Sequence, residues 1–341
     1  MSFPLLHERW PALRETLPHL SLDDRRPTPV APLDTLAASA GLDPGVLWLK
    51  DDGAYGTGGW GGNKVRKLEW LLPDVRRRGR RTILTVGGIG TNWGLAAALY
   101  GREQGLEVAL ALIDQPVDEH VAAQLERLRS SGATIHRTRT KARTIAAAPW
   151  LMLRHSDGLR PPYFLPAGGS SPLGAVGYVE AGLEIAAQVE AGAMPEPVHV
   201  VTAVGSGGTA AGLALGLRLA GLGTRVTGVV VNDTLRLDSQ ALRKLAGRAA
   251  KLLAGRGADG AERVGDLRLE SVPDWLGTGY GHPTAESERA RAVAGGAGLA
   301  LDPVYTAKSL AATLDLISSG RLEGPVLFLQ TDGPRPGTGP A

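Results

Sequence analysis

The stretch Thr82-Ile83-Leu84-Thr85-Val86-Gly87-Gly88-Ile89-Gly90-Thr91-Asn92 decides the fold. Its first five residues are apolar or β-branched and read as a strand. A glycine-rich turn follows, and Asn92 to Gln104 has helical spacing. The same order returns later, with strand Val198 to Val204, turn Gly205-Ser206-Gly207-Gly208-Thr209, and a helix from Thr209 to Leu219. Val108 to Ile113, Val226 to Val231 and Val326 to Gln330 read as further strands. Helical stretches are expected at 118–130, 234–255, 284–294 and 307–318. Apolar runs this short, alternating with helices, predict an α/β fold of parallel strands covered on both faces. Right-handed crossovers should join them. Ligands of such sheets sit beyond the carboxyl ends of the strands, where both glycine turns fall.

With 341 residues the chain can form one large domain or two ordinary ones. It is 43% hydrophobic and 21% charged, which predicts a sizeable core and argues against disorder. The formal net charge is +3, and the densest basic run is Arg76-Arg77-Arg78-Gly79-Arg80-Arg81. That run reads as a wet helix end, because no aromatic residue is interleaved to stack on bases, and no nucleic-acid partner is expected. The absence of cysteine excludes disulfides, thiol nucleophiles and thiolate metal sites. His120, His136 and His155 lack ligand spacing, so no metal is expected. Trp10, Trp150 and Trp275 read as packing residues. Met1 to Leu20 has no signal-peptide core, and no apolar run of about 18 residues appears. The expectation is a cytoplasmic protein without membrane contact. Only Pro334 to Ala341 reads as a weak tail.

Two segments carry chemistry. Gly205 to Thr209 opens a helix after a strand, and unpaired N–H groups with the dipole make that end a seat for an anion. It is neither a P-loop nor a dinucleotide fingerprint, and by itself it is equally a packing turn. The other segment is Gly61-Gly62-Asn63-Lys64-Val65-Arg66-Lys67-Leu68-Glu69, where Lys64 begins an amphipathic helix. A lysine at a helix N-terminus beside Arg66 and Lys67 is electrostatically misplaced, which favours the neutral amine that covalent carbonyl chemistry requires. An ordinary exposed lysine is the competing reading.

Ordered motifs over most of the chain add to this. They are Leu47-Trp48-Leu49-Lys50-Asp51-Asp52, the Gly61 to Glu69 segment, Thr85-Val86-Gly87-Gly88-Ile89, and Pro166-Ala167-Gly168-Gly169-Ser170-Ser171-Pro172-Leu173-Gly174. Gly205 to Thr209, Gly279-Tyr280-Gly281, Leu301-Asp302-Pro303-Val304-Tyr305-Thr306 and Thr331-Asp332-Gly333 complete the set. In these the sequence resembles the pyridoxal-5′-phosphate (PLP) dependent D-cysteine desulfhydrases and 1-aminocyclopropane-1-carboxylate (ACC) deaminases, of the tryptophan-synthase-β-like fold (fold type II). The resemblance implies two open parallel-sheet αβα domains with the active site in the cleft between them. Residues 1–55 with 165–341 would form the larger, PLP-binding domain, and 56–164 the smaller.

It also implies roles. Lys64 matches the Schiff-base lysine, and Asn92 the residue at the cofactor 3′-oxygen. Thr91 stands where serine is usual, beside the substrate carboxylate. Gly205, Ser206, Gly207, Gly208 and Thr209 match the phosphate loop. Tyr280 and Tyr305 match two tyrosines near the substrate, and Thr331 the partner of the pyridine nitrogen. A hydroxyl there leaves that nitrogen largely unprotonated, which suits elimination of a good leaving group. Thr306 and Thr331 resemble the desulfhydrase branch rather than the deaminase branch.

The sequence departs from the family in Gly90, Thr91 and Trp93, in the segment 53–60, and at Asp332. Trp93 either lines the pocket or packs away from it. The expected activity is α,β-elimination on a small amino acid, giving a keto acid and ammonia. ACC ring opening, β-replacement, racemisation and PLP binding without turnover stand as alternatives. A homodimer is implied by resemblance alone.

Overall fold

A computed structural model describes residues 4–23, 26–56 and 62–333. Gly61 of the lysine motif, residues 57–60 of the divergent segment and the tail from Pro334 lie outside them. In chain order the elements are α1 (Leu5–Arg9), α2 (Leu13–Thr16), β1 (Val30–Pro32), α3 (Asp34–Ser39), β2 (Leu47–Asp51), α4 (Asn63–Arg77), β3 (Thr82–Gly88) and α5 (Asn92–Glu103). Next come β4 (Glu107–Ile113), α6 (Glu119–Ser130), β5 (Thr134–Arg139), α7 (Lys141–Arg154), β6 (Tyr163–Leu165) and α8 (Pro172–Glu190). The last are β7 (His199–Val204), α9 (Gly208–Ala220), β8 (Arg225–Val230), α10 (Ser239–Ala254), β9 (Leu269–Val272), α11 (Ala285–Gly296), α12 (Thr306–Ser318) and β10 (Val326–Gln330).

The strands form two sheets. One has the order β1-β2-β10-β7-β8-β9, and the other β5-β4-β3-β6. Only β1 runs antiparallel to its neighbour. The predicted parallel α/β architecture is therefore present, and the glycine turns after β3 and β7 both stand at carboxyl ends. Among the anticipated helices, α10 starts at Ser239 rather than 234. The Asp238 carboxylate accepts the Ala241 N–H and caps the helix there, leaving 232–237 as a loop.

Helix α8 was not anticipated. It is buried nearly all round, so no polar stripe marks its period in the sequence. Glycines let it touch its neighbours backbone to backbone. A Cβ on Gly182 would lie 2.8 Å from the Gly216 Cα of α9, and one on Gly177 would overlap the Arg66 carbonyl of α4.

Charge also fixes α4 on α8. The Arg66 guanidinium grips Asp52 with two bonds of 2.9 Å and reaches Glu184 at 2.9 and 3.1 Å. Lys50 donates to Glu184 (2.7 Å) and Gln188 (2.8 Å), and the Tyr178 hydroxyl to Asp52 (2.7 Å). Burial alone would raise the Glu184 pKa, but Arg66 and Lys50 outweigh it and hold the carboxyl well below its usual range. Removing one partner of such a buried set costs about 3–5 kcal/mol, because the other charge is left uncompensated.

Candidate active site

Two helix N-termini meet above the sheet edges. The Asn63 amide of α4 donates to the Thr209 hydroxyl of α9 at 3.3 Å. Lys64 is the second residue of α4, and its ammonium donates to the Asn63 side-chain oxygen. Both line a cavity of about 450 Å3, within the ordinary range for a cofactor site. The late segment is strapped here too, since Gly62 bridges Asp332 and the Asn63 N–H donates to the Thr331 carbonyl at 3.3 Å.

Gly205, Ser206, Gly207 and Thr209 form one wall of this cavity. Gly207 has φ +90°, and a Cβ there would lie 2.6 Å from Leu242, so only glycine fits. Gly208 does not line the cavity; its N–H donates to the Ser170 hydroxyl at 2.9 Å, and Ser170 donates to Ser206 at 2.8 Å.

Lys67 lies under this loop. It is 1% exposed, donates to the Gly168 carbonyl at 3.1 Å, and has no carboxylate within ion-pair distance among the described residues. Burial, and secondarily the Lys64 charge, push its pKa well below the ordinary lysine value. Its Nζ would be 3.3 Å from a Cβ on Gly208. A helix N-terminus, two ammonium groups and the hydroxyls of Ser170, Ser206 and Thr209 make a donor set without an acid, which fits a phosphate.

At the opposite end, Thr91 caps α5 by accepting the Gly94 N–H at 3.1 Å, and Asn92 accepts from Gln124 at 3.0 Å. Both stand on the cavity wall. The hydroxyls of Tyr280 and Tyr305 are 2.6 Å apart, with their rings edge to face. Thr331 lines the same space. Trp93 does both things the sequence left open. It is 2% exposed, donates its indole N–H to Thr85 at 2.8 Å and abuts Gly169, yet it also lines the cavity.

Thr306, the branch-specific residue expected on the substrate side, is fully buried and is not among the residues that line the cavity. Its hydroxyl donates to the Asp302 carboxylate at 2.7 Å, which also accepts the N–H groups of Val304, Tyr305 and Thr306. These local bonds hold the first turn of α12 and occupy the hydroxyl. Trp150 corrects the expectation of a packing residue: it is 53% exposed, edge-on to His136 and beneath the Arg154 guanidinium. His136 and His155 face each other at 2.7 Å, but no cluster of three potential metal ligands occurs among the described residues.

Sequence reasoning passed over Lys67, Ser170 and Gln124. Lys67 was detectable, since it is three residues from Lys64 and shares its helix face.

A parallel α/β frame with a phosphate seat at joined helix N-termini and a lysine at its edge defines the class of pyridoxal-phosphate enzymes. A model of the family "pyridoxal-phosphate dependent enzyme" matches residues 22–332, and the chain belongs to that family. Its cofactor is pyridoxal 5′-phosphate. Among its relatives is a Pyrococcus horikoshii protein assigned as an ACC deaminase, 31% identical over 90% of this chain and 89% of that one. Another is the D-cysteine desulfhydrase of Salmonella paratyphi A, 34% identical over 90% and 92%. The crystal structure of an ACC deaminase homologue superimposes with a TM-score of 0.80 at 30% identity, covering 97% of this chain and 95% of that one. The crystal structure of a bacterial threonine deaminase (TM-score 0.64, 21% identity, 99% and 100% covered) shares the fold.

Proposed function

We propose that the protein catalyses α,β-elimination on a small amino acid, giving a keto acid and ammonia. The observation that carries this reading is that Lys64, the Gly205–Thr209 turn and the paired hydroxyls of Tyr280 and Tyr305 line one cavity. PLP, when bound, supplies a sink for the electron pair left at the substrate Cα. Gly205, Ser206, Gly207, Thr209 and Lys67 would hold its phosphate, with Gly208 and Ser170 bracing the loop from behind, Asn92 would meet its 3′-oxygen and Thr331 its ring nitrogen. Lys64 would bind it covalently and, once released, take the α-proton at Nζ. Thr91 and the N-terminus of α5 would orient the substrate carboxylate. The Tyr280–Tyr305 pair would hand a proton to the departing group, and Trp93 would wall the site against water. With cysteine, the Cβ–S bond breaks, sulfide leaves, and water completes pyruvate and ammonia.

A panel of D- and L-cysteine, D- and L-serine and ACC, assayed for keto acid and ammonia, tests the reading. Keto acid from a cysteine or serine supports it. Product from ACC alone replaces it with ring opening, and no product from any member refutes it.

We also read the chain as a homodimer. In support, Ile145, Trp150, Leu153 and Phe164 leave apolar surface uncovered at 50–76% exposure. Sedimentation at micromolar concentration tests this. The proposed domains, 1–55 with 165–341 and 56–164, are supported by the division of strands between the two sheets, although α4 packs on α8. Limited proteolysis tests that boundary. A cytoplasmic location is carried as the default for such an enzyme, and cell fractionation checks it; no described helix is long and apolar enough to cross a membrane.

A further inference from the structure

Lys308 lies in α12, one turn after Tyr305, and its side chain is fully buried. A lysine is almost never buried completely unless its donors are met, because an unsatisfied ammonium in the interior is costly. No carboxylate stands within ion-pair distance of Lys308 among the described residues. Asp302, the nearest acid on its own segment, already has its carboxylate bound to the α12 turn. Lys308 donates instead to the carbonyl of Leu276 at 2.7 Å, with a weaker contact of 3.5 Å to that of Gly279.

Those carbonyls belong to the loop that carries Tyr280. Its N–H is held by the Asp233 carboxylate at 3.2 Å, and its phenol meets Tyr305 at 2.6 Å. The loop also reaches the other sheet. The Tyr280 ring would lie 3.7 Å from a Cβ on Gly88 of β3, and Pro116 would lie 3.4 Å from one on Gly281. One tyrosine of the pair therefore stands at the start of α12, and the other on a loop stapled to α12.

We propose that Lys308 is a positioning residue for the Tyr280–Tyr305 pair, its buried ammonium pinning loop 276–281 so that the Tyr280 phenol stays on Tyr305 and faces the cavity. This rests on the elimination reading for its kinetic consequence, but not for its structural one. A lysine that merely filled space would be replaced well by methionine, which is apolar and of similar length.

The test is Lys308→Met in the wild-type and Tyr280→Phe backgrounds, using whichever amino acid of the panel is turned over fastest. If Lys308 acts through Tyr280, kcat/KM falls on the order of 10–100-fold in the first background. In the second it falls less than about twofold further, because the two residues act as one unit. Cofactor affinity is unchanged, and amide exchange of residues 276–281 rises at least about tenfold while the rest of the protein keeps its protection. Lys308→Gln retains an N–H donor and restores part of both effects. An equal fall in both backgrounds, unchanged exchange at 276–281, or a rise across the whole chain overturns the proposal. If the methionine variant does not fold, the glutamine variant is carried through the same cycle. If no amino acid is turned over, the elimination reading fails, while the exchange measurement still decides the role of Lys308.

Discussion

Lys67 shows how much a single residue would contribute to the proposed cofactor seat. Its buried amine has one carbonyl hydrogen-bond partner, and an arriving phosphate would add a charged one. Lys67→Met should weaken cofactor binding by about 1.5–3 kcal/mol, the range for a hydrogen bond to a charged group, and leave covalent attachment at Lys64 intact. Equilibrium titration with PLP measures it, and unchanged affinity would remove Lys67 from the seat. Trp93 is buried and bonded to Thr85, so Trp93→Ala should cost about 3–5 kcal/mol of stability, read by denaturant unfolding. A loss under about 1 kcal/mol would mean the side chain is replaceable packing. The dipole argument alone left Lys64 open between a reactive amine and an ordinary exposed lysine, and the family resemblance singled it out. The partner of Thr306 was not legible, because position in a motif says nothing of where a hydroxyl bonds. In the fold the Asp302 carboxylate captures it.

At the scale of elements, α8 ties the N-terminal segment to the site. The Glu180 carboxylate accepts the N–H groups of Leu5 (2.6 Å) and Leu6 (3.0 Å). Burial raises its pKa to about 7, against the pull of those N–H groups and Arg26. Between about pH 4.5 and 7 the folded chain then holds a proton that the unfolded chain has released. The contribution of Glu180 is fully present below pH 4.5 and is lost as pH rises through 7. From pH 4.5 to 8 the wild type should lose about 3 kcal/mol relative to Glu180→Gln, measured by denaturant unfolding of both. Parallel pH profiles would contradict this. The helix itself was invisible in sequence, because a segment buried on every side has no amphipathic period. Strands β3, β4, β7, β8 and β10 were legible as bounded apolar runs. The edge strand β5, Thr134 to Arg139, was not, since half-exposed edges carry charge.

At the scale of the molecule, the proposed cofactor seat draws on elements of both sheets. Lys64, Lys67 and Asn63 belong to α4, Thr209 to the helix after β7, and Thr91 and Asn92 to the helix after β3. Binding should therefore stabilise the chain as one unit, by about 2.7 kcal/mol at a PLP concentration one hundred times Kd. A thermal scan with and without PLP checks this, and an unchanged Tm at saturation would place binding elsewhere. The parallel architecture was readable because strand, glycine turn and helix recur in order. The meeting of α4 with α9 was not, because residues 63 and 209 are joined only by tertiary packing. The most direct test of the central claim is reduction of the PLP-loaded protein with borohydride, followed by peptide mapping. One pyridoxyl group per chain is expected, on Lys64 and absent in Lys64→Ala. A pyridoxyl group on Lys67 or any other lysine of the wild type, or none at all, would contradict it.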